Sequence, residues 1–147
     1  MKAVRVAADL LMRKAVWPAA AFDRDSNYSG LLPMGSLLAI PASIDISTLG
    51  LSPQGLVIAK AAQDYGVYVV DRGGAGISFL AEWGNPEIRW NAPEAWWADL
   101  EIIKNNLHLV TNNTRSTPGG GGKRRASLAP PFFDESSPVV CGPKAAK

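Results

Sequence analysis

The stretch QDYGVYVVDRGGAGISFL, residues 63–80, decides how the chain folds. Gly66 can take the left-handed conformation that closes a helix, so a helix ends there and a new element begins. Val67 to Val70 are β-branched or aromatic without polar alternation, the pattern of a strand buried on both faces. Gly73-Gly74-Ala75-Gly76 then turns the chain, and Ile77-Ser78-Phe79-Leu80 is extended again. A phosphate-binding glycine loop lies between a strand and a helix, so that the first helical amides point at the anion. Here an extended run follows, without a helix-start residue, and the spacing matches neither G-x-G-x-x-G nor G-x-x-x-x-G-K-S/T. The glycines are therefore expected to join two antiparallel strands as a hairpin.

Working upstream, LSPQGLVIAKAAQDYG carries the clearest helix signal. Ser52 can accept a hydrogen bond from a first-turn amide, and Pro53 at the first helical position gives up an amide that would have no partner anyway. Leu56, Ala59, Ala62 and Tyr65, joined by Val57 and Ile58, form the expected buried face. Before it, Ser36-Leu37-Leu38-Ala39-Ile40 is a short apolar run stopped by Pro41, as a strand would be. Asp23 to Gly35 is polar and turn-rich and reads as a surface loop. Val4, Ala7, Ala8, Leu11 and Ala15 have helical spacing, so an amphipathic helix is expected over residues 3–16, ending before Pro18.

Downstream, Asn91-Ala92-Pro93-Glu94 has the form of a capping box. Trp96, Leu100, Ile103 and Leu107 recur at helical spacing behind it, and Leu107 to Thr111 can form a last strand. The expected fold class is α+β. Residues 1–35 make an N-terminal helix and surface loop, 36–112 the α+β core, and 113–147 a Gly- and Pro-rich, disordered tail with only Leu128 and Phe132-Phe133 available to dock. The core order of strand, helix, strand, strand, helix, strand is that of the ferredoxin-like split βαβ fold.

Composition limits the function classes. The chain has 147 residues, 47% of them apolar, enough for one core. Fifteen basic and thirteen acidic residues leave a net charge of +2, and the one basic run, Lys123-Arg124-Arg125, follows a glycine tract, so no nucleic-acid partner is implied. A single cysteine, Cys141, excludes an intramolecular disulfide. No apolar window approaches the roughly 20 residues that span a bilayer. Asp9, Arg13 and Lys14 interrupt the amino-terminal apolar stretch, which does not read as a secretory signal, so a soluble chain of unassigned compartment is expected.

No residue stands out as catalytic. His108 is the only histidine, placed as a structural or exposed side chain, and no H-x-H, H-E-x-x-H or C-x-x-C spacing supplies a metal site. We expect no metal and no cofactor. Acid and base work without histidine needs paired carboxylates; Asp71 and Glu82 at the outer parts of the expected hairpin are weak candidates, with Asp99 and Glu101 on the second helix. Asp71 before glycines is more often a turn residue, and Glu101 more often part of a solvated helix face.

Trp83, Trp90, Trp96 and Trp97 fall close together in sequence. Adjacent helical residues differ by about 100° around the axis, so Trp96 and Trp97 cannot both face the core. We assign Trp96 to the core and Trp97 to the rim. Trp97, Trp90 and Trp83 are the candidate ligand contacts, because an exposed indole can stack on sugar rings or anchor a protein interface. The competing reading packs all four into a small core.

VWPAAAFDRDSNYSG, LPMGSLLAIPASIDISTLGLSPQGLVIAKAAQDYGVYVVD, LHLVTNNT and GGGGKRRASLAPPF together resemble the carboxy-terminal part of a family of larger bacterial, often exported, proteins that also occurs in phage-related contexts. Trp17-Pro18, Pro33-x-Gly35, Leu49-Gly50-Leu51-Ser52-Pro53 and Gln63-Asp64-Tyr65-Gly66 carry the resemblance. It implies a β-rich half upstream and supplies no activity, so it transfers no catalytic residue. The expectation is an accessory or binding module at a cell or virion surface with a glycan as ligand. The alternatives are a truncated part or subunit of a glycan-active hydrolase, and a module that pairs with a partner protein.

Overall fold

The computed structural model describes residues 3–23, 27–74, 76–80 and 94–121, the last segment with side chains from residue 97 onward. Among them are seven strands: β1 (Ala3–Val6), β2 (Leu11–Ala15), β3 (Leu32–Met34), β4 (Leu37–Ala39), β5 (Val67–Arg72), β6 (Ile77–Leu80) and β7 (His108–Leu109). Two α-helices, α1 (Pro53–Asp64) and α2 (Glu94–Asn105), complete an α+β fold. A five-stranded sheet has the order β6-β1-β5-β4-β7, and β2 and β3 pair separately in parallel.

The N-terminal helix expected over residues 3–16 is replaced by β1, a single 3₁₀ turn at Ala8–Leu10, and β2. The helical spacing there rested largely on alanines, whereas Val4 and Val6 alternate with Arg5 at the two-residue period of a strand. Both valines are completely buried while Arg5 is exposed. β1 lies in the sheet interior, parallel to β5 and antiparallel to β6. Burial there favours β-branched side chains over the weak local helix pattern.

That insertion also overturns the hairpin. β5 and β6 do not pair with each other, because β1 separates them. Two strand spacings, roughly 10 Å, must then be crossed by the glycine segment. The Gly73 amide donates to the Val6 carbonyl at 2.9 Å and the Ala7 amide to the Gly76 carbonyl at 2.8 Å, so the segment is stapled across the end of β1.

The order strand, helix, strand, strand, helix, strand is present as β4, α1, β5, β6, α2, β7. The ferredoxin-like arrangement is not: there the two strands joined by the first helix are parallel and separated by another strand, whereas β4 and β5 are antiparallel neighbours. Element order alone cannot choose between these pairings.

α1 forms as its sequence dictates. Ser52 Oγ accepts the Gly55 amide at 3.2 Å, Pro53 occupies the first turn, and Gly66 follows the helix at φ 70°. A Cβ on Gly66 would also come within 2.6 Å of Leu37 Cδ1 and 2.8 Å of the Leu38 carbonyl oxygen. The buried face is centred on Gly55, Ile58, Ala59 and Ala62, while Val57 and Tyr65, expected inside, are exposed. Ile58, Ala59, Ala62 and Ile103 from the helices join Val4, Val6, Val67, Val69 and Leu38 of the large sheet in one core. Leu11 and Met34 of the small sheet extend that core, with Tyr28 beside them.

Residues 113–121, placed in the tail by composition, are bonded to the body. Asn113 Oδ1 accepts from the Gly119 amide at 2.9 Å and from the Tyr68 hydroxyl at 3.4 Å, and its Nδ2 donates to the Trp17 carbonyl at 3.5 Å. The tail from residue 122 onward lies outside the described residues.

Candidate functional site

The site is built on α2, which is held by core packing at Ile103 and by one buried carboxylate. Asp99 is 4% exposed and faces the amino end of α1. Its Oδ1 accepts the Ser52 amide at 3.1 Å and its Oδ2 accepts the Ser52 hydroxyl. Ser52 Oγ in turn accepts the Gly55 amide, so a hydrogen-bond relay runs from the first turn of α1 to α2. A negative charge at a helix amino terminus is favoured by the free amides and the macrodipole there. Residue 55 must be glycine for this approach, since a Cβ would stand 2.5 Å from Asp99 Oδ2. Asp99, offered by the sequence as an acid-base candidate, is thus an interhelical clamp.

With Asp99 turned onto α1, the residue two positions earlier is rotated by about 200° around the helix and faces away. That residue is Trp97, and it is 68% exposed. Leu100 and Leu107 are half-buried and Ile103 is completely buried, so these three members of the stripe expected from Trp96 onward pack inward. Of the other ligand-contact candidates, Trp90 and Trp83 lie outside the described residues, as does the side chain of Trp96. Other exposed apolar side chains, among them Leu31 at 82% and Val57 at 59%, come from other parts of the chain.

Asp71, the first acid-base candidate, is held by Arg5 Nε at 3.1 Å and accepts the Arg72 amide at 2.8 Å. Glu82, its proposed companion, lies outside the described residues. Glu101 pairs with Lys104 one turn along the helix. His108, on β7, is exposed. Near Asp71, the Tyr28 hydroxyl donates to Asp23. Burial of the Tyr28 ring pushes its phenol well above the usual tyrosine range, the Asp23 hydrogen bond holds the proton further, and the charges of Asp23 and Asp71 add to the effect. This tyrosine stays a proton donor at neutral pH.

The Tyr28–Asp23 pair and the Asn113 junction were not read from sequence. Asn113 lies within an Asn-Asn-Thr run that signals only a turn, and Tyr28 within a polar loop; neither position has a periodicity that reveals a long-range partner. Trp17, Tyr68, Asn113 and Gly119 come from four separate stretches of the chain and meet at one junction.

Among the described residues, no group of three or more His, Cys, Asp or Glu side chains could hold a metal ion, and no helix is long and apolar enough to cross a membrane. No protein-family model, curated protein or solved structure matches the chain.

Proposed function

We propose that the chain is a non-catalytic binding module whose ligand contact lies on α2, with a glycan as the preferred ligand and a cell or virion surface as its setting. The observation that carries this reading is the 68% exposure of Trp97 on a helix whose opposite side is clamped by Asp99. An indole left in water is a flat apolar platform, and the C–H faces of sugar rings are complementary to its π-face. Because the helix beneath is held by core packing and a buried carboxylate, little ordering cost accompanies contact. The surface setting follows the resemblance alone.

The described carboxylates weighed for catalysis are engaged elsewhere, Asp71 with Arg5, Asp99 with Ser52 and Glu101 with Lys104, which favours binding over hydrolysis. A protein partner is the second reading, favoured by Leu31 and Val57, which add exposed apolar area outside α2.

A glycan array probed with the wild-type chain, Trp97→Ala and Trp97→Phe tests the proposal. Binding that Trp97→Ala abolishes and Trp97→Phe partly restores is the expected result. Equal signals from wild type and Trp97→Ala, or no signal from either, would overturn the glycan assignment. Association with another protein that Leu31→Ser disrupts and Trp97→Ala leaves intact would establish the second reading instead.

A further inference from the structure

We draw no further inference here: the strongest candidate, the buried Asp64 carboxylate at the carboxyl end of α1, whose Oδ1 meets no hydrogen-bond partner among the described residues, carries nothing because its other oxygen already pairs with Lys60 and no second group pointing to a ligand stands beside it.

Discussion

Asp99 joins the helices through hydrogen bonds to a single serine, and its burial makes those bonds costly to lose. Asp99→Ala leaves the Ser52 amide and hydroxyl without their acceptor, and hydrogen bonds to a charged group contribute about 1.5 to 3 kcal/mol each. Chemical denaturation should therefore show Asp99→Ala less stable than wild type by at least roughly 2 kcal/mol, with Gly55→Ala also destabilised because its Cβ would press on the same carboxylate. A neutral Asp99→Ala would show that the clamp does not hold α2. Tyr28 has a pH signature. Its folded-state phenol is raised above the unfolded value, so the neutral form is favoured by folding. That contribution is complete below the ordinary tyrosine range, near pH 10, and is lost as pH rises through it toward the folded value. Tyr28→Phe should lose about 1 kcal/mol at pH 8, for one hydrogen bond, and the gap to wild type should shrink at pH 11. A gap that widens with pH would contradict the assigned direction. The cap at Ser52 was legible because Ser-Pro signals a helix start by itself, whereas its bond to Asp99 spans 47 residues and has no sequence signature.

At the level of elements, the glycines after β5 differ from the one that closes α1. Gly66 has φ 70° and its Cβ space is filled by Leu37 and Leu38, so Gly66→Ala combines backbone strain of about 1 to 3 kcal/mol with a packing clash. Gly74 has open space around it, so Gly74→Ala should change stability by no more than about 0.5 kcal/mol. Thermal denaturation of the two variants separates them, and a large loss at Gly74 would argue for a tight turn there after all. On α2, Trp97→Ala should cost no more than about 1 kcal/mol, because most of the ring is already in water. A loss of several kcal/mol would mean that the indole is packed, and the binding surface would lose its physical basis. The helices were legible here because the Ser52 cap of α1 and the 3.6-residue spacing are local signals, while the capping box expected at Asn91 lies outside the described residues. The exposure of Trp97 was legible too, since two adjacent helical residues cannot share one face.

For the whole molecule, residues 113–121 distinguish a domain boundary drawn by composition from one drawn by contacts. Asn113 ties β5, the Trp17 segment and the Gly119 turn together, so a chain ending at residue 112 should melt several degrees below one ending at residue 121. Equal midpoints would place the boundary at 112, where glycine and proline content alone puts it. The sequence by itself determined the α+β class, the two helices with the Ser52 cap of α1, and the order of strands and helices across residues 36–112, since each depends on neighbours a few positions apart. Tertiary structure alone decided that residues 3–6 form a strand between β5 and β6, that the glycine segment spans a strand instead of closing a hairpin, and that Asp99 serves α1. The physical reason is common to all three. Strand pairing and buried polar contacts are settled by competition among surfaces distant in sequence, and a four-residue strand such as β1 carries too little local preference to announce where its burial will come from.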